Sequence, residues 1–205
     1  MHSAHRRRAR ERMAKLKAQL AGFKKERVNQ RKGRSNELKV SLVGYTNSGK
    51  TSLMNAMTRA QLEAADVLFA TLDTNVRSLD PTTRPKILLS DTVGFIRNLP
   101  HGLVESFKST LEEVLEADLL LHVVDTSHQN YRSQMQTTDE VLAEIGAAAI
   151  PTVVVFNKMD NVEDPYLAKI LQAAHKHSIC VSAMNDDDVV RLRKHVFSFF
   201  EQTLV

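Results

Sequence analysis

From Leu38 onwards the chain alternates short apolar runs with longer stretches whose apolar positions recur every three or four residues. Leu38 to Val43 reads as an apolar strand ending in a glycine-bearing turn. Leu119 to Val124 and Thr152 to Phe156 are near-continuous in apolar residues and rich in valine, as strands buried on both faces are. Ile87 to Ser90 and Ser178 to Ser182 are shorter strands of the same kind. Helical spacing appears from Lys50 to Arg59 and from Leu103 to Glu116, where Leu103, Phe107, Leu111, Val114 and Leu115 share one face. Asp186 to Asp188 offer N-caps for a last helix whose Val189, Leu192, Val196, Phe199 and Phe200 face a core. Val76 to Asp80, joined to Ile87–Ser90 by the turn around Pro81–Pro85, adds an antiparallel edge. The alternation predicts an α/β domain with a mostly parallel, six-stranded sheet, one antiparallel edge strand and helices on both faces.

Residues 1–36 follow a different pattern. Ala9, Met13, Leu16, Leu20 and Phe23 are spaced four and three apart, a narrow helical seam that needs a partner helix. The segment carries thirteen Lys/Arg and two acids through Arg34, a net +11, whereas the remaining residues sum to −7. A basic helical arm and linker over 1–36 thus precede a mildly acidic domain over 37–205. Such an arm seeks phosphates, on nucleic acid or on a membrane surface. No apolar run approaches the roughly 18–20 residues that span a bilayer, and the single Cys180 allows no internal disulfide. A cytoplasmic protein is expected.

The chemistry lies in the turns. Gly44-Tyr45-Thr46-Asn47-Ser48-Gly49-Lys50-Thr51, followed by Ser52, fits G-x-x-x-x-G-K-[ST] between a strand and a helix. Its glycines let successive N–H groups turn toward phosphate oxygens, and the helix adds its positive end. Lys50 would reach the β- and γ-phosphates and the Thr51 hydroxyl would coordinate Mg²⁺. Asn157-Lys158-Met159-Asp160 follows the Thr152–Phe156 strand. There the Asp160 carboxylate could accept from guanine N1–H and the 2-amino group, neither of which adenine offers. Asn157 would brace the loop and the Lys158 stem would pack over the ring. Asp91-Thr92-Val93-Gly94 follows Ile87–Ser90; Asp91 would hold Mg²⁺ through a water and the Gly94 N–H would sense the γ-phosphate. Ser182-Ala183-Met184 would meet guanine O6 through backbone N–H groups.

This order of elements is that of translation-factor and Ras-like GTPases. The segments 42–50, Leu68-Phe69-Ala70-Thr71-Leu72-Asp73 and Asp91 to Ile96 resemble those of the HflX family of ribosome-associated P-loop GTPases, as does the basic helix of residues 7–34. The resemblance implies a Ras-like fold, GTP/GDP binding, hydrolysis stimulated by ribosomes, and contact with the large ribosomal subunit and ribosomal RNA through the arm. It further implies that Phe69 to Asp73 form a nucleotide-binding switch. Its Thr71 would meet Mg²⁺ and serve catalysis beside Lys50 and Gly94, with Thr74 as the lesser candidate. Family members carry a larger N-terminal domain, of which the arm would be the last helix.

Two residues bear on rate. Phe95 stands where Ras-like proteins place a glutamine that orients water, which predicts slow intrinsic hydrolysis; alternatively Phe95 is only a hydrophobic switch residue. Asn47 occupies the loop position that in several bacterial GTPases helps hold K⁺; alternatively it caps the loop. His122 reads as a satisfied core histidine and Cys180 as buried. Two other functions fit the same motifs: a nucleotide-dependent binding module with negligible hydrolysis, and a membrane- or organelle-associated GTPase.

Overall fold

The computed structural model describes residues 37–58, 75–92, 94–95 and 108–203. The basic arm with its seam, the segment 69–74 that includes Thr71 and Thr74, Val93, and Leu103 and Phe107 lie outside the described residues.

Among the described residues six strands form one sheet: β1 (Leu38–Val43), β2 (Asn75–Ser78), β3 (Ile87–Asp91), β4 (Leu119–Asp125), β5 (Thr152–Asn157) and β6 (Ser178–Cys180). Their order is β2-β3-β1-β4-β5-β6. Only β2 runs antiparallel, paired with β3 from Asn75↔Asp91 to Ser78↔Leu88; the other pairs are parallel. Among the described residues five helices cover the sheet: α1 (Lys50–Thr58), α2 (Lys108–Leu115), α3 (Tyr131–Glu144), α4 (Leu167–Ala174) and α5 (Asp186–Thr203). This is the expected α/β arrangement of a Ras-like domain. The strand order turns at β1, which has β3 on one side and β4 on the other, and sheets of this kind bind ligands at the carboxyl ends of the strands around such a point.

Strand alternation divides the core. Leu42, Leu121, Val123 and Val155 face α1 and α5, where Leu53, Met57, Leu192 and Val196 join them. On the other face Val43 and Leu120 pack with Val114 of α2 and Leu142 of α3, and Val124 and Phe156 pack with Leu171 of α4. One pair of buried hydroxyls is matched across β1 and β3: Ser41 Oγ lies 2.7 Å from Ser90 Oγ and donates to the Glu113 carbonyl at 3.1 Å. No helix among the described residues is long and apolar enough to cross a membrane.

Two features depart from the sequence expectation. The α5 cap is Asn185 rather than the aspartates, its Oδ1 accepting the N–H groups of Asp187 (3.0 Å) and Asp188 (3.2 Å). Helix α3 escapes periodicity because its buried face holds Thr137 and Thr138 beside Leu142; both hydroxyls donate back to carbonyls four residues earlier, which lets threonine stand where an apolar residue is looked for.

His122 is buried at 1% exposure, as expected of a core histidine, but only one nitrogen is served. Its Nδ1 lies 3.3 Å from Asp139 Oδ1, whereas Nε2 is buried without a partner. An orphaned buried polar atom costs about 1–3 kcal/mol. His122→Leu removes it and leaves Asp139 in solvent, so the variant is expected to be neutral or up to about 1 kcal/mol more stable in urea unfolding. A loss above about 2 kcal/mol would show that the Asp139 contact outweighs the orphaned nitrogen.

Candidate functional site

The loop after β1 is bent by backbone that few residues adopt. Asn47 (φ 61°) and Gly49 (φ 93°) both lie in the left-handed region. At Gly49 a Cβ would also fall 2.3 Å from Asn157 Nδ2. That close approach has a purpose: Asn157 Nδ2 donates to the Ser48 carbonyl at 3.0 Å and ties the loop to the end of β5. Lys50, the first residue of α1, is buried; its Nζ donates to the carbonyls of Gly44 (3.2 Å) and Tyr45 (2.9 Å). Burial pushes the ammonium from its ordinary value down to about 8, with Asp91 pulling weakly the other way. A buried cation beneath a helix N-terminus is a site built for an anion. Exposed Asn47, buried Thr46 and Ser48, and partly buried Tyr45 and Ser52 complete the loop.

Beside Lys50, the Thr51 hydroxyl donates to Asp91 Oδ2 at 2.7 Å, linking the first turn of α1 to the end of β3. A hydroxyl and a fully buried carboxylate are hard oxygen donors and fit a small divalent cation. Thr92 turns away from this point, its hydroxyl donating to the Leu42 carbonyl at 2.6 Å. Gly94 presses on the loop so closely that a Cβ would lie 2.5 Å from Thr46 Cα. Phe95 then pairs with the loop as an isolated parallel bridge to Tyr45. The Thr46 N–H donates to the Phe95 carbonyl (2.8 Å) and the Phe95 N–H to the Gly44 carbonyl (3.0 Å). The Phe95 ring is 3% exposed, packed with Val43, Val114 and Leu120.

Across the loop stand the ends of β5 and β6. Asn157 is buried and bridges both sides: Nδ2 holds Ser48, while Oδ1 accepts the Ala183 N–H at 3.2 Å. Lys158 adopts φ 61° and caps a 3₁₀ turn, Met159–Asn161, that carries Asp160 to an exposed position. The neighbouring loop is internally ordered, with the Ser182 N–H donating to Asp188 Oδ2 (2.8 Å) and the Met184 N–H to Ser182 Oγ (3.1 Å). Met184 is 80% exposed. The structure therefore gathers the residues 44–52, Asp91, Gly94, 157–160 and 182–184 at one end of the sheet.

Sequence reasoning passed over Asp125, the last residue of β4, which stands in register with Asn157. Its Oδ2 accepts Lys158 Nζ at 2.7 Å. The signal was there, as an acidic residue closing a buried strand, but no spacing rule marks it.

The family described as 50S ribosome-binding GTPase matches residues 39–158. The chain is similar to the GTPase HflX of Gluconacetobacter diazotrophicus, 52% identical over 98% of this chain and 44% of that protein. It is 45% identical to the GTPase HflX of Escherichia coli over 78% of this chain and 38% of that one. Among solved structures it resembles a GTP-binding protein from Sulfolobus solfataricus in complex with GDP. The TM-score is 0.64 and the identity 28%, over 92% of this chain and 61% of that chain. The chain thus spans less than half the length of these two HflX proteins.

Proposed function

Because the chain belongs to the HflX family of P-loop GTPases, we propose that it binds GTP and GDP, hydrolyses GTP to GDP and phosphate, and acts as a nucleotide switch on the large ribosomal subunit. The observation that carries this reading is Asn157, which joins the phosphate-type loop at Ser48 to the Ala183 loop and so ties the loop before the buried Lys50 to the strand end from which the Asp160 turn starts. Lys50 meets the β- and γ-phosphates and Asp160 meets the guanine edge. Tyr45 to Ser52, Asp91 to Gly94 (Thr92 through its backbone alone, its hydroxyl being held by the Leu42 carbonyl), Lys158, Met159 and the Ser182–Met184 loop form the remaining wall. Thr51 and Asp91 would hold Mg²⁺, which supplies charge neutralisation at the phosphates. Thr71 and the rest of residues 69–73 are proposed as the first switch. Residues 1–36 are proposed as the arm that meets ribosomal RNA through phosphates, residues 37–205 as the GTP-binding domain, and the cytoplasm as its location.

The inward packing of Phe95 supports slow intrinsic turnover, since that ring offers nothing to the attacking water. Purified chain titrated with labelled GDP, GTP and ATP is expected to prefer guanine nucleotides clearly. Its GTP turnover alone is expected well below about 1 s⁻¹, to rise with added large ribosomal subunits, and to run faster in KCl than in NaCl if Asn47 helps hold K⁺. Equal binding of ATP would overturn the nucleotide reading. Fast turnover without a partner would overturn the role given to Phe95, and indifference to ribosomes would favour a binding module.

A further inference from the structure

Lys158 holds an unusual position. It is a side-chain-bearing residue at φ 61°, ψ 34°, a conformation that persists where the surroundings over-determine it. Its stem runs beside the phosphate-type loop, with Cε 3.9 Å from the place a Cβ on Gly49 would take. Its ammonium is drawn to one carboxylate. Asp125 Oδ2 accepts Nζ at 2.7 Å, while Oδ1 accepts the Ser127 N–H (3.1 Å) and hydroxyl (2.6 Å). Asp125 therefore has no rotamer to spare. The strand end that carries it is itself fixed, because it pairs in register with Asn157 and the Thr126 N–H donates to the Asn157 carbonyl at 3.0 Å. The pair is partly shielded, at 13% exposure for Asp125 and 27% for Lys158.

We infer that Asp125 is a positioning residue for the guanine base, acting through Lys158. The inference rests on the nucleotide reading above and deepens it. A free lysine side chain samples many rotamers, and packing it on a base would cost that freedom at every binding event. Tying the ammonium to a carboxylate that is already held by Ser127 removes that freedom beforehand. The methylene stem then stands as a preformed apolar wall beside the Asp160 turn, and the charge is kept off the ring face. The ordering of the base pocket thus begins at the end of β4, a strand that contributes nothing to the loop motifs.

Release of a fluorescent GDP analogue from the full chain tests this. Asp125→Asn is isosteric and keeps an acceptor for Ser127, but cannot attract the ammonium. It is expected to release GDP about fivefold faster, with the difference shrinking as salt rises. The decisive comparison uses Lys158→Met, which keeps an apolar stem and has no charge to hold. In that background Asp125→Asn is expected to add no further loss, because the carboxylate has nothing left to position. Asp125→Ala, compared in the same two backgrounds, gives the same pattern by a deletion that leaves no amide behind. If either Asp125 substitution accelerates release equally with and without Lys158, Asp125 serves only the strand end and the inference is overturned. A chain that binds GDP tightly and is indifferent to both substitutions overturns it too. A chain that holds no guanine nucleotide at all overturns the functional reading first and this one with it.

Discussion

Lys50→Met is expected to make the nucleotide-free protein about 3 kcal/mol more stable while weakening GTP binding at least about 100-fold. The two halves have one cause. The Lys50 ammonium is buried, and its pKa is down to about 8 in the ligand-free fold, against an ordinary value of 10.5. That depression is a net figure: loss of hydration dominates, and attraction to Asp91 offsets only part of it. An uncharged, similarly shaped methionine escapes the penalty. Nor does it strand the carbonyls that Lys50 serves, since Gly44 O still accepts the Phe95 N–H and Tyr45 O the Ser48 N–H. The sign with pH follows from linkage. The unfolded chain holds this proton more tightly, so the native protein is penalised in full below about pH 8 and gains stability as pH rises from there toward 10.5. The advantage of Lys50→Met, measured by urea unfolding without nucleotide or Mg²⁺, should therefore be largest near neutrality and close over that interval. An advantage that persists above pH 10.5 would mean that packing, not charge, separates the two proteins. Phosphate binding needs the positive charge, and there the methionine variant has nothing to offer.

Asp160→Asn is expected to change which base is bound. A carboxylate accepts from both guanine N1–H and the 2-amino group, whereas an asparagine amide offers one acceptor and one donor. The donor faces the 2-amino group, so GDP affinity should fall about 1,000-fold. Xanthine carries an N1–H and a carbonyl at that edge, which match acceptor and donor. Competition against labelled nucleotide should show xanthosine diphosphate overtaking GDP in the variant. Because the Asp160 side chain is exposed, the variant's melting temperature without nucleotide should not move. A variant that loses GDP without gaining the xanthine nucleotide, and that melts lower, would mean Asp160 shapes the 3₁₀ turn rather than reads the base.

What the sequence made legible was whatever is local. A strand, a glycine-bearing loop and a helix start are contiguous between Leu38 and Thr58, and the six strands and the antiparallel β2 edge follow from period and turn residues. The turn after β5 was equally readable because it follows a strand of evident apolar pattern. Other elements depended on contacts between distant segments. Asp125 becomes visible only when β4 and β5 lie in register and Lys158 turns back toward it. Thr92, one residue from Asp91, reads as a ligand from its motif, yet its hydroxyl is spent on the β1 carbonyl of Leu42. For Phe95, sequence reading left open whether the residue matters for water or for packing; the ring lies in the core beneath α2 and α3. Asn185 was overlooked beside three aspartates because asparagine and aspartate both cap helices, and only geometry chooses among the four positions.

The strand order has a mechanical meaning as well. Reading across the site, the groups that would touch one nucleotide sit on the ends of β1, β3 and β5 and on the loop after β6, segments strung from Gly44 to Met184 along the chain. Such a ligand is a rivet through plates that the backbone joins only by long detours. At a concentration 100 times its dissociation constant it adds about 2.7 kcal/mol to the folded state, and it adds this across the sheet rather than along any one element. Under the proposed function, occupancy by either the diphosphate or the triphosphate would make the same set of strands behave as one piece, offsetting the burden of the buried lysine.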